Sequence, residues 1–344
     1  MTIKSKKYDY GVSFARCIAT LMIVLCHILQ HYGIWLDAQF NVGVQIFFFI
    51  SGFLFGQRKI KDDYTFIKKR VGRIVLDYYV CLIIDLVFYA LFAKEYLTWS
   101  GIKGLLFFYG TIRGLGHLWF IPVIVCLYIA TPIYIRLIDD IENKLSKLDF
   151  HNLIIFRVIE MGILYIFFIW VQNHFGFLGL FYSFNYSLGL MTGRYKAQNP
   201  NSYNWLKFWL KFAGILAIIG TFICIYHEKI GRISLISAHI GFYYNTFYPL
   251  NHMLLGIALF NLFYLIELKF KVFERFNKIA RISDKYSYDI YLSHHIWIQN
   301  PLAIFNLPFL FIFKFIMMII AVGMQTFVTR YISNRLLLIF KRIK

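Results

Sequence analysis

Runs of about 20 apolar residues recur along almost the whole chain, and they constrain its fold more than any other feature. At a rise of about 1.5 Å per residue, such a run matches a hydrocarbon core about 30 Å thick. A chain in lipid must satisfy its own backbone hydrogen bonds, so segments this long are expected to be helices. Spans are expected near 12–32, 42–57, 74–94, 116–138, 153–172, 176–193, 208–226, 247–267, 286–304 and 309–332, of which the second and sixth are the shortest. The expected fold is all-α: one domain over 1–344, a polytopic membrane bundle of about ten transmembrane helices.

Charge orients this bundle. Only 15% of the residues are charged, against about 25% in soluble proteins. A net charge of +19 on a soluble chain would point to nucleic acid. Here no basic domain stands outside the apolar windows, so no nucleic-acid partner is expected. The basic residues sort instead by the positive-inside rule. With the N-terminus inside, most of the 36 Lys and Arg fall in cytoplasmic segments. Lys94, Lys103, Arg113, Lys229, Arg232 and Lys314 fall outside, and Arg16 and Arg157 fall within spans. Both termini are then cytoplasmic, and the expected location is the cell (plasma or inner) membrane. The first apolar run is long enough to span, so no cleavable signal is expected. The five cysteines are scattered singly without metal-ligand spacing, and no metal is expected. Outer segments 95–115 and 227–246 are short enough to fold back as re-entrant or lid elements.

Ionisable groups inside a membrane are costly and tend to mark function. Arg16 and His27 lie eleven residues apart in the first span, about 20° beyond three full helical turns, so they share a face about 16 Å apart along the axis. Arg16 would sit near the cytoplasm and His27 in the outer half, with His31 one turn further. A planar guanidinium suits phosphate, and an imidazole suits general-base chemistry near neutral pH. A long substrate with phosphates at one end and a reactive carbonyl at the other would connect the two. Taken singly, Arg16 reads equally well as a snorkelling residue and His27 as a packing residue. The shared register argues for function. Arg70 and Arg73, three residues apart at the cytoplasmic end of the third span, suit either phosphate or ordinary anchoring. His117 and Trp119 open the fourth span at the outer surface, where Trp119 fits an interfacial belt or a sugar face. Tyr288, Ser293, His294 and His295 lie along the ninth span, with the histidines outward. Asp85 lies mid-span, either orienting a histidine or pairing with Arg157, which also has Glu160 one turn away.

The Arg-x10-His first helix resembles the acyltransferase-3 family of integral membrane O-acyltransferases, of the kind acting on bacterial surface polysaccharides. The stretches Gly43–Phe53, Arg70–Ile74 followed by Tyr78, His117–Ile121 and Tyr286–His294 resemble later family blocks in order. Leu76 departs from the pattern, standing where proline is common. The resemblance implies transfer of an acetyl group from cytoplasmic acetyl-CoA to a hydroxyl of an extracytoplasmic capsular or exopolysaccharide glycan or its lipid-linked precursor. It implies His27 as catalytic base or transient acyl carrier, Arg16 as a catalytic and donor-holding group, and Arg70 and Arg73 as donor-binding residues. His117, Trp119, Ser293 and His294 are the expected acceptor-side residues. A glycan exporter of the same superfamily is the alternative, and a structural subunit of a synthase complex a third.

Overall fold

The computed structural model describes residues 8–145, 150–175, 182–299 and 301–342. Among these no strand occurs, and ten long helices follow the ten expected windows: α1 (Tyr10–His31), α2 (Gly43–Gly56), α3 (Asp63–Phe92), α4 (Phe120–Leu145), α5 (Phe150–Phe175), α6 (Ser183–Gln198), α7 (Asn204–Ile225), α8 (Tyr248–Phe270), α9 (Asn277–Ile298) and α10 (Phe311–Arg342). The opening of the sixth window, 176–181, and the basic residues Lys4, Lys6, Lys7 and Lys147 lie outside the described residues, as does the side chain of Arg157. The result is a polytopic all-α bundle.

By length and composition, seven helical segments among the described residues are apolar enough to cross a membrane, including α1, α3, α4, α7 and α10. Of α5, α6 and α9, which are not among them, the last two fall short for different physical reasons. α6 has only 16 residues, and ten of them, Ser183–Leu190 with Thr192 and Gly193, are buried. α9 is polar, yet it buries Ser287, Asp289, Ser293, His294 and His295. A helix wrapped by other helices needs protein partners rather than an apolar surface.

Several expected boundaries shift. α3 begins eleven residues before the expected third span, because Asp62 caps it by accepting from the Thr65 amide at 2.8 Å. That carries Arg70 and Arg73 onto the helix proper. The ninth helix runs Asn277–Ile298 rather than 286–304, and a short turn at Ile304–Asn306 follows. Of the expected fold-back elements, segment 95–115 folds a helix at Trp99–Leu106 and buries Leu105 in the main apolar cluster. Segment 227–246 forms short helical turns.

The closest helix pairing is between α2 and α6. Gly52 and Gly56 on α2, and Gly189 and Gly193 on α6, each follow a small-xxx-small spacing. A Cβ on Gly52 would lie 2.0 Å from the Tyr186 carbonyl oxygen, and one on Gly193 would lie 2.2 Å from that of Phe53. The backbones therefore touch, and no side chain could yield. This pair seats Phe48, which packs against both Trp119 and Tyr182, and it holds α2 beside α1.

Gly52→Ala and Gly193→Ala should each destabilise the purified protein by roughly 1–3 kcal/mol, the range for overpacking a filled interior. Gly214→Ala and Gly323→Ala, where nothing lies within 4 Å, should leave stability unchanged or slightly raised. Thermal unfolding in one detergent distinguishes these outcomes.

Candidate active site at the two ends of the first helix

α1 and α9 run parallel through the bundle, and their two ends carry the site. At the end that holds the start of α1, the side expected to be cytoplasmic, Arg16 Nη1 donates to Asp284 Oδ1 at 2.7 Å. The other Asp284 oxygen accepts from Ser13 Oγ at 2.6 Å and from the Tyr8 hydroxyl. Burial, and after it the Asp284 carboxylate, push the Tyr8 hydroxyl up to about 12, so it stays a donor. Arg16 is therefore an anchored cation. Arg58 and Arg70 both lie over the Phe55 ring at 5.6 Å, and Phe55 packs edge-on against Tyr128 at 4.7 Å. Two guanidinium groups thus share one ring, at the same end of the bundle as Arg16.

Arg73 does not join them. Its Nε lies 2.9 Å from Asp77, and its Nη1 donates to Asn334 on α10 at 2.9 Å. Asp77 is fully buried and also faces Arg330, which reaches Asp289 at 3.3 Å. Three residues of helix separate Arg70 from Arg73 by about 60°, and the buried Asp77 one turn away draws Arg73 to the other side. The expected Arg70–Arg73 pair is split: Arg70 lies over Phe55 and Arg73 serves a buried ion network.

At the outer end four imidazoles gather from three elements. The His27 ring centroid lies 5.2 Å from that of His294 and 4.4 Å from that of His295. The His117 ring stacks on His295 at 4.5 Å and lies 5.4 Å from His294. Each ring is fixed by one nitrogen donating to an oxygen that can only accept. His27 Nδ1 donates to Gln30 Oε1 at 2.6 Å, and His295 Nδ1 donates to the Gly114 carbonyl at 2.6 Å. His117 Nε2 donates to the Leu292 carbonyl at 3.0 Å, and His294 Nδ1 is shared between the Ile290 and Tyr291 carbonyls at 3.1 and 2.8 Å. Every ring is thereby held as a tautomer with one lone pair left over. His117 Nδ1 and His294 Nε2 are buried with no partner among the described residues. His27 Nε2 is the lone pair on the half-buried ring, suited to accept a proton from a bound hydroxyl. The Gln299 amide donates to the His27 carbonyl at 2.8 Å and ties the ends of α1 and α9 together. Among the described residues, no group of three or more His, Cys, Asp and Glu side chains is placed to hold a metal ion.

A cleft of about 380 Å³ opens beside this cluster, lined by Gln30, Thr111–Gly114, Gly116, His295 and Gln299. Gly114 adopts φ +91°, a conformation costly for any residue with a Cβ, and this turn aims its carbonyl at His295. Along α1 between its two ends lies a small enclosed apolar void of about 10 Å³, lined by Ile23, Val44, Phe47, Phe120, Tyr288 and Tyr291.

Two of the expected acceptor residues sit elsewhere. Ser293 hydrogen-bonds the Asp289 carbonyl at 2.9 Å and Thr326 on α10 at 2.8 Å. One residue from His294 along a helix is a turn of about 100°, so the two face apart. Trp119 stacks on Tyr182 with ring centroids 5.0 Å apart, inside an aromatic packing group. Asp85 accepts from the Gln325 amide at 2.6 Å, and Gln325 in turn accepts from Trp297 at 2.6 Å, so the described contacts of Asp85 tie α3 to α10 rather than orienting a histidine. Conversely, Gln30, Arg58, Gly114, Asp284 and Gln299 were not singled out by sequence. Gln30 was legible in principle, three residues beyond His27 on a helix. Gly114 and Gln299 act through the tertiary fold, which leaves no local signal.

The Arg16–Asp284 contact has a measurable coupling. Arg16→Ala and Asp284→Ala in a double-mutant cycle should show about 1 kcal/mol of interaction in thermal stability, moderate because both side chains keep some solvent access. The double variant should lose less stability than the two single variants summed, since each single strands the other charge.

A family model described as an acyltransferase domain matches residues 9–329. Searches of the curated proteins and of the solved structures return no match. The matched region contains both ends of α1, the imidazole cluster and the apolar packing between the two ends, and on this evidence the chain belongs to the acyltransferase-3 family and is a multi-pass membrane acyltransferase.

Proposed function

We propose that this acyltransferase moves an acetyl group from cytoplasmic acetyl-CoA to a hydroxyl of an extracytoplasmic surface glycan, capsular or exopolysaccharide or its lipid-linked precursor. The observation that carries the reading is the polarity of α1: guanidinium groups at one end, an imidazole cluster beside an open cleft at the other, and apolar side chains between. Phosphates of the donor would be held by Arg16, Arg58 and Arg70, since a guanidinium presents paired donors to phosphate oxygens. The acyl-bearing arm would run along α1 past Ile23 toward His27, parting the apolar side chains that now leave only a small void there.

The chemistry then needs one proton acceptor. The acceptor hydroxyl gives its proton to His27 Nε2 while its oxygen bonds to the thioester carbonyl carbon. The C–S bond breaks, and the departing thiolate takes the proton from the imidazolium. Gln30 keeps Nδ1 protonated, so the lone pair stays on Nε2 through the cycle. The same geometry also suits a two-step route, in which Nε2 first takes the acetyl group and then passes it on. Incubating the protein with acetyl-CoA and no acceptor, then mapping peptides by mass, should find acetyl on His27 only if the two-step route operates.

In producing cells, His27→Ala should abolish ester groups on the surface polysaccharide, a loss of about 10² to 10⁴ in rate, while the polymer still reaches the surface. Proton NMR of the extracted polymer reads the ester signal directly. If the polymer itself disappears from the surface, the exporter reading replaces this one. If neither changes while the protein still inserts, a structural-subunit role gains instead.

A further inference from the structure

The outer cleft carries a charge that neither its packing nor the proton transfer requires. Arg113 is the single charged residue among those lining it, and no carboxylate lines it. Its side chain is exposed, its guanidinium lies 5.5 Å over the Tyr96 ring, and no acid pairs with it among the described residues. Its backbone is fixed as well, because the Tyr89 hydroxyl donates to the Arg113 carbonyl at 2.5 Å. The neighbouring Gly114 carbonyl holds His295, so Arg113 is one residue from the imidazole cluster. Topogenesis disfavours cations on the outer side, where this chain places only a few. Arg113 lies in a loop and borders an open cleft.

The geometry points to an anionic acceptor: resting on the reading of a glycan O-acetyltransferase, we infer that Arg113 recognises a negatively charged group of the acceptor glycan close to the hydroxyl that is acetylated. A guanidinium in the wall of the cleft that His295 also lines would bind the anion and hold the adjacent hydroxyl at the imidazole cluster that includes His27. Stacking on Tyr96 limits the rotamers of Arg113 and reduces the entropy lost on binding. Two groups share this chemistry, a sugar carboxylate and a backbone phosphodiester, and both match the planar donor fork. The remaining lining side chains with polar atoms, Gln30, Thr111, His295 and Gln299, are suited to sugar hydroxyls.

The test compares polymer from cells carrying the wild-type protein, Arg113→Ala, Arg113→Lys or His27→Ala, with membrane levels matched by immunoblot. Arg113→Ala should lower ester content about tenfold at unchanged polymer yield, and Arg113→Lys should restore part of it, since charge returns without the fork. Two-dimensional NMR should place the ester on, or next to, a residue bearing a carboxylate or a phosphodiester. Correlation to phosphorus identifies the phosphodiester, and correlation to a carboxyl carbon identifies the sugar acid. Esters lost with His27→Ala but retained with Arg113→Ala, or located on a wholly neutral glycan, overturn this inference and leave the acetyltransferase reading intact. Esters retained in both variants overturn the two together.

Discussion

The parallel pairing of α1 with α9 is the contact on which the functional architecture rests. In lipid, apolar side chains give helices little reason to choose one neighbour over another, so polar contacts and close packing decide. α1 and α9 are tied at one end by Arg16 and Asp284, and at the other by the histidine cluster and the Gln299 amide on the His27 carbonyl. A polar contact at each end sets both axial register and rotation. That register places a guanidinium and an imidazole at opposite ends of one helix pair.

The remainder of the bundle makes that pairing affordable. α9 is too polar to face lipid, and its carboxylate Asp289 is fully buried. The ion network of Arg73, Asp77 and Arg330 surrounds it from α3 and α10, and Asp85 with Gln325 adds a second link between the same helices. A buried charge is tolerable only when its partners are fixed. On the opposite side, the glycine contact of α2 and α6 lets their backbones touch and seats the aromatic group of Phe48, Trp119 and Tyr182. These residues act on the site indirectly, by holding the helices around it.

The two ends differ in chemistry. The end with Arg16, Arg58 and Arg70 is cationic and suits phosphate, while the other is a cleft of amide, hydroxyl and imidazole groups with one guanidinium at its border. Apolar side chains fill the space between them and leave room for about one water.

The all-α fold and the face shared by Arg16 and His27 were determined by sequence alone, because both follow from local quantities: the length of an apolar run and the angular period of a helix. The polarity of α9 was visible in Ser287, Asp289, Ser293 and the two histidines, but its burial was not, since hydropathy cannot tell a helix wrapped by protein from one leaving the membrane. Tertiary structure decided which polar groups meet. It sent Arg73 to Asp77 and Ser293 to Thr326, and it brought His117, His294 and His295 onto His27. Those choices depend on the rotation of one helix against another over long sequence separations. The feature legible from the start, a helix with an Arg at one end and a His at the other, became a site only when α9 was packed beside it and the Gly114 turn closed over its outer end.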